Sequence, residues 1–242
     1  MNVLEHLQQK VIIPLHLFGF DCSLTNGAIS LWVAVLLSFA LYFFAARNLK
    51  SVPGRLQNMA EILIVFLQEE VASQINKNRE KWLPFLVALF TFILMNNLIS
   101  LVPGMGSATA NINTTAALAI MVFIIVQING VCQKGFIGYL RGLVPSGLPL
   151  PITLFMIPIE LVSQVAKPFS LALRLFANMY AGHAVMLLII SLIFIFRNNF
   201  IIPLPVIGNA VILVFEIFVG FIQAFIFTYL SALYIETAQE GH

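Results

Sequence analysis

Charge is what this chain has least of. Only 9% of its 242 residues are Asp, Glu, Lys or Arg, while 60% are hydrophobic. Water-soluble domains carry about 25% charged residues, and a chain of this length has no interior large enough to hide so much apolar surface. A water-soluble fold is excluded. The net charge of +2 gives no broad basic surface, so no nucleic-acid partner is expected. There are two cysteines, Cys22 and Cys132, with no CxxC and no Cys/His cluster to hold a metal. They fall on opposite sides of the expected membrane, too far apart for a disulfide. The N-terminus has no basic leader before a clean apolar core. Glu5 and Lys10 come early and Pro14 interrupts the only apolar stretch, so no cleavable signal peptide is expected. GxxxxGK[ST], HExxH and GxSxG are all missing, which removes a nucleotide cradle and argues against an intramembrane protease. No cofactor is expected.

What remains is a series of long apolar runs without period-two alternation. In lipid every backbone polar group must be satisfied within the chain, so such runs read as membrane helices rather than barrel strands. The fold class expected is an all-α integral membrane protein, a single membrane domain of about five spanning helices plus one interfacial helix. Residues 1–26 form an external N-terminal segment. Gly27 to Ala46 has no charge and is about 30 Å long as a helix, enough for a first span. Pro53-Gly54 then breaks the chain. From Arg55 to Ile75, Leu56, Met59, Leu63, Phe66 and Leu67 recur at helical spacing opposite Gln57, Glu61, Gln68 and Glu69. That pattern suits an interfacial helix, the alternative being a helix that faces a partner. Further spans are expected over 83–102 and 114–131, the first ending at Pro103-Gly104. Gly142, Pro145, Gly147, Pro149 and Pro151 form a stiff link. The run 149–196 is about 70 Å long as one helix. It must tilt, kink at Pro158 or Pro168, or fold into a hairpin. Arg197-Asn198-Asn199 ends it, and a last apolar run covers 206–235.

Basic residues in short loops set orientation. Arg47, Lys50, Arg55, Lys77, Arg79, Lys81, Lys134 and Arg141 fall on one side of five spans; Lys10 and Arg197 fall on the other. The C-terminus is therefore expected in the cytoplasm and the N-terminus outside.

Five ionisable residues fall at membrane depth: Glu160, Lys167, Arg174, His183 and Glu216. Ser163, Gln164, Ser170, Asn178 and Gln223 accompany them. Each charge is costly in lipid and must face protein or water. They either pair off and fix helix packing, or line a route for water and ions. Glu160, Lys167 and Arg174 are seven apart, which is about 20° short of two helical turns, so they share a face. His183, nine beyond Arg174, points the other way. Glu216 and Gln223 are again seven apart. An arginine keeps its proton in turnover and cannot relay it. It can act as a fixed positive charge, attracting a carboxylate at about 4 Å by on the order of 4 kcal/mol at an effective dielectric of about 20. His183 and Glu216 are the better proton carriers.

The run Ser170-Leu-Ala-Leu-Arg174-Leu-Phe-Ala-Asn178-Met-Tyr-Ala-Gly-His183 closely resembles the signature segment of the ATP synthase a subunit family. Glu216 with Gln223-Ala-Phe-Ile-Phe, Pro158-Ile-Glu160 and Lys167-Pro-Phe-Ser170 are similar too, and the likeness extends from Pro53-Gly54-Arg55 to the C-terminus. The resemblance implies that the last two helices form a long, strongly tilted hairpin. Arg174 would face the carboxylate of a rotating c-subunit ring and separate two aqueous half-channels. His183 and Glu216 would line the outer one, with Asn178 and Gln223 near the arginine. Glu160 and Ser170 would belong to the cytoplasmic one, and Lys167 would balance Glu160. The implied partners are the c-ring, peripheral-stalk b subunits, membrane lipid and the transported H⁺ or Na⁺. The implied place is a bacterial inner membrane rather than a mitochondrial one. Where some members carry a carboxylate before the first external loop, this chain reads Asn97-Leu-Ile-Ser100. The rival reading is a stand-alone secondary transporter or channel. No inverted repeat is visible, and the polar residues crowd into the C-terminal third, as in a protein whose other half is a different chain.

Overall fold

A computed structural model describes residues 11–13, 16–17, 20–21, 24–47, 49–102, 105–141, 150–196 and 203–240. Six helices dominate: α1 (Asn26–Arg47), α2 (Arg55–Glu70), α3 (Arg79–Ser100), α4 (Ile112–Arg141), α5 (Leu150–Phe196) and α6 (Pro203–Glu240). Five of them, all but α2, are long and apolar enough to cross a bilayer. The protein is an all-α membrane protein. The only strands among the described residues are two short antiparallel pairs ahead of α1, Val11–Ile13 with Leu24–Thr25 and His16–Leu17 with Phe20–Asp21. Lys10, Cys22, Pro103-Gly104, the 142–149 link and Arg197–Asn199 lie outside the described residues.

α5 and α6 are helices of 47 and 38 residues. At 1.5 Å per residue they are about 70 and 57 Å long, so neither stands upright across a hydrocarbon core of about 30 Å. α5 runs through both Pro158 and Pro168 and does not fold into a hairpin of its own. Interior prolines are tolerated in membrane helices because neighbouring groups take up the freed carbonyls. Close approaches run in opposite senses along the two helices: Ile189 near Gly208, His183 near Glu216, Asn178 on Gln223 and Lys167 on Tyr234. α5 and α6 therefore form an antiparallel hairpin.

Lipid tails are as apolar as leucine, so helices in a membrane associate through close packing and hydrogen bonds. α3 is the most enclosed span and packs on both α1 and α6. Phe90, Ile93, Leu171, Leu175, Met179 and Phe227 are fully buried among α3, α5 and α6, with Ala224 and Ala232 keeping the backbones close. Polar contacts fix register. Tyr42 Oη lies 2.6 Å from Thr91 Oγ1, and Asn97 Nδ2 donates to the Gly220 carbonyl at 2.9 Å. At the far end of α6, the Glu236 carboxylate accepts from the Asn76 backbone and side chain at 3.1 and 2.8 Å. α1 is peripheral, with Trp32, Leu36 and Phe39 exposed by about two-thirds (66%, 64% and 67%). A soluble monomer does not leave such a surface in water; here lipid covers it.

α2 divides its apolar residues between two surfaces. Ala60, Leu63, Phe66 and Leu67 pack on the core, with the Phe66 ring 5.6 Å from that of Phe225, while Leu56, Met59, Ile62 and Val65 stay exposed. The helix stops at Glu70, short of Ile75, and a 3-10 turn at Ala72–Gln74 takes the chain towards α3. α4 is broken at Gly135 (φ 72°, ψ 159°), a conformation that glycine alone adopts freely. The break brings Tyr139 back beside α4, where its hydroxyl donates to Gln127 and, at 3.2 Å, to Gln164 of α5.

An added methyl at Gly135 meets no atom within 4 Å, so substitution there tests backbone strain alone. Gly135→Ala is expected to lower stability by about 1–3 kcal/mol, read as faster thermal inactivation in detergent. Gly138→Ala, three residues on, should leave the rate unchanged; equal effects would remove the strain account.

Candidate functional site

The site is built on the facing surfaces of α5 and α6. Helical spacing sets Glu160, Lys167 and Arg174 on one stripe of α5, and the polar partners on α6 decide which of them are covered. Arg174 lies at the middle of α5 and its side chain is exposed. Among the described residues no carboxylate forms an ion pair with it. Exposed Ser170 lies one turn before it and Asn178 one turn after. Asn178 Nδ2 donates at 2.8 Å to Oε1 of Gln223, which is itself buried. The Gln223 oxygen is thus held on Asn178, beside the arginine rather than on it.

Nine residues beyond Arg174, about 14 Å along the axis, His183 turns towards α6. Its Nε2 is 3.9 Å from Oε1 of Glu216, with the imidazole 14% and the carboxyl 3% exposed. That gap is too long for a hydrogen bond, so proton exchange needs a shift of about 1 Å or a bridging water. Gly182 makes the approach possible. A Cβ there would lie 2.5 Å from Glu216 Oε1 and 2.9 Å from its Cδ. His183 Nε2, both Glu216 oxygens and Gln223 Nε2 are buried without a hydrogen-bond partner. Each such atom costs roughly 1–3 kcal/mol unless something outside the chain satisfies it. Water or a small cation is the chemistry that fits.

Residues that spacing had not singled out extend this polar zone. Asn209 is seven before Glu216 and continues the Glu216–Gln223 stripe, with a buried, unpartnered Oδ1. The same count that joined 216 to 223 could have found it. Asn96, Asn97 and Ser100 of α3 and Thr109 of the following loop are buried as well, with Asn96 Oδ1, Asn97 Oδ1 and Thr109 Oγ1 unpartnered. These lie on a different helix, which no count along α6 could reveal.

On the other side of Arg174, towards the start of α5, a second polar zone opens. A cavity of about 60 Å³, room for several waters, is lined among others by Gln127, Tyr139, Glu160, Gln164, Lys167 and Tyr234. Gln127 Nε2 donates to Gln164 Oε1 at 2.8 Å. Glu160 and Lys167 share this cavity without forming an ion pair. Lys167 instead lies over the Tyr234 ring, 5.6 Å from its centroid. The two zones thus flank the arginine along one helix. No group of three or more His, Cys, Asp or Glu among the described residues is arranged to hold a metal ion.

A family model described as ATP synthase A chain matches residues 28–236. The chain belongs to that family. Among its relatives, the ATP synthase subunit a of Chloroherpeton thalassium is 40% identical over 232 residues, covering 93% of this chain and 69% of that protein. The subunit a of Rhodospirillum rubrum is 35% identical over 245 residues and 98% of both chains. That of Rubrobacter xylanophilus is 35% identical over 250 residues, covering 100% of this chain and 95% of its own. Membership makes the protein a membrane subunit of the ATP synthase type, concerned with ATP synthesis and proton transport. The match takes in α5, α6 as far as residue 236, and every site residue described above.

Gly182→Ala is expected to push the Glu216 carboxyl off its place beside His183 and to cut ion-driven ATP synthesis in vesicles at least about tenfold, since a methyl 2.5 Å from Oε1 makes that flexible carboxyl move. Gly208→Ala, whose methyl would sit 3.7 Å from Ile189 Cγ2, should be tolerated. Comparable rates for the two variants would mean that the glycine does not set the carboxyl's position.

Proposed function

We propose that this chain is the ion-translocating stator of the ATP synthase membrane sector, supplying two half-channels and a fixed arginine to a rotating c-subunit ring. The observation that carries the reading is Arg174, exposed at the middle of α5 and without an acidic partner among the described residues. A guanidinium facing lipid at the bilayer centre is costly by any measure. A carboxylate on another protein removes that cost. The apolar residues exposed around it, Val165, Phe169 and Leu173 on α5 among them, suit a protein surface that moves past.

The termini follow the basic loops, with the N-terminus outside and the C-terminus in the cytoplasm, in a bacterial inner membrane. An ion enters past Asn209, Asn97 and Ser100 and reaches Glu216 and His183. One of this pair takes the proton while the other stabilises the charge left behind. Delivery past Asn178 and Gln223 neutralises a ring carboxylate, which can then enter lipid. After nearly a full turn the carboxylate returns from the cytoplasmic side. There the field of Arg174, on the order of 4 kcal/mol at about 4 Å, favours its ionised form. The released proton leaves past Ser170 and the cavity at Glu160 and Gln164. The membrane potential supplies about 2.3 kcal/mol per charge per 100 mV. This chain hydrolyses nothing; nucleotide chemistry belongs to other subunits, joined to it through the peripheral stalk b subunits.

Arg174→Ala is expected to abolish ion-driven ATP synthesis in vesicles while the complex still assembles with its c-ring and stalk. Synthesis retained by an assembled variant would contradict the role given to the guanidinium. Exchanging the pair, His183→Glu with Glu216→His, should leave at least about ten times the rate of either single alanine variant, since one acid and one imidazole remain at 3.9 Å spacing. Losses as deep as those of the single variants would show that the two do not work together.

A further inference from the structure

Spacing sets Lys167 on the same stripe of α5 as Arg174, about 10 Å nearer the start of the helix. An ammonium on a long flexible stem is free to swing into the path of any anion that Arg174 attracts. It would then offer a competing resting place. The obvious partner for it, Glu160, shares its cavity but makes no ion pair with it. α6 provides something else. Lys167 Nζ lies 5.6 Å from the centroid of the Tyr234 ring, inside the range of about 6 Å over which an aromatic face attracts a cation. Tyr234 is half-buried in the wall of the same cavity.

We infer that Tyr234 is a positioning residue, whose ring holds the Lys167 ammonium in the cavity so that Arg174 alone presents positive charge to the passing carboxylate. An aromatic face serves this purpose better than a carboxylate would. It holds the cation without placing an anion near the guanidinium, where it would weaken the field that acts on the ring. Tyr234 acts through Lys167 rather than on the ring carboxylate itself. The inference rests on the stator reading of Arg174.

The test uses membranes carrying the intact complex, with ATP synthesis measured under a fixed ion gradient and assembly checked by co-purification. Tyr234→Phe keeps the aromatic face and is expected within about twofold of the parent. Tyr234→Met removes it and is expected to lose roughly fivefold to thirtyfold, the factor by which a contact of this kind biases the lysine. Adding Lys167→Gln to Tyr234→Met removes the cation that needed holding and should restore the rate, which a merely structural defect would not allow. A Tyr234→Met rate equal to the parent's, a Tyr234→Phe loss as large as that of Tyr234→Met, or no recovery in the double variant overturns the inference. So does a Lys167→Gln single variant that loses synthesis, since the ammonium would then be used rather than withdrawn. If Tyr234→Met does not assemble, that single variant and Tyr234→Phe still decide the matter. Failure of the stator reading itself appears separately, as synthesis retained in Arg174→Ala.

Discussion

The structure depends on one uncompensated charge. Arg174 sits at the centre of a 47-residue apolar helix with its side chain exposed and no carboxylate among the described residues paired to it. A buried arginine normally brings its counter-charge with it, because an unpaired charge in a low-dielectric setting costs several kcal/mol. Here the chain leaves that cost standing, and its packing keeps it so. Gln223 is held on Asn178, Lys167 on Tyr234, and Glu216 lies against Gly182 on the side of α5 that carries His183. Each of these three groups, which could otherwise crowd or neutralise the guanidinium, is directed elsewhere.

That arrangement strains the chain in other places, and the core offsets the strain. His183 Nε2, both Glu216 oxygens and Gln223 Nε2 are buried without partners, several kcal/mol in all if nothing else satisfies them. The position of α6, which carries Glu216 and Gln223, is fixed by contacts at some distance. α3 holds α6 through Asn97 on the Gly220 carbonyl and through the Phe90–Phe221 ring pair, and Asn76 holds the far end of α6 by Glu236. Hydrogen bonds and close packing, rather than the hydrophobic effect, give α6 its register, as expected where lipid competes equally for apolar side chains.

The fold class was legible because composition and run length alone decide that the solvent is lipid. The stripes on α5 and α6 were legible for a less obvious reason. In helices apolar all round, hydrophobic periodicity says nothing about facing, so the rare polar residues carry that information, and multiples of seven group them. Glu160, Lys167 and Arg174 were found in this way. Asn209 obeys the same count and was missed only because the count stopped at Glu216. Other features could not be read along the chain at all. Tyr139 reaches Gln164 only because Gly135 turns the helix back. Lys167 reads naturally as the partner of Glu160, seven residues away on its own helix, yet it meets Tyr234 on another. The division of α2 between a core face and an exposed face likewise depends on where Phe225 lies. Such pairings arise from tertiary packing, and spacing within one helix does not contain them.

If the chain is the stator proposed above, its two polar zones must communicate with a moving carboxylate without communicating with each other. Glu160 and His183 lie about 21 and 14 Å along α5 on either side of Arg174. Distance alone is a weak barrier in a chain of hydrated side chains. A fixed positive charge is a stronger one. If a like charge approaches to about 4 Å, the repulsion is on the order of 4 kcal/mol at an effective dielectric of about 20, a factor of roughly 10³ in population. In the proposed stator, the field that draws a proton off the ring carboxylate would therefore also keep a free proton from crossing directly. Both effects scale with the net charge at that point and both vanish if an acid of the same chain pairs with the guanidinium. In that reading an unpaired arginine is a single solution to two requirements, coupling and insulation, and the contacts that keep Gln223, Lys167 and Glu216 occupied elsewhere would serve both.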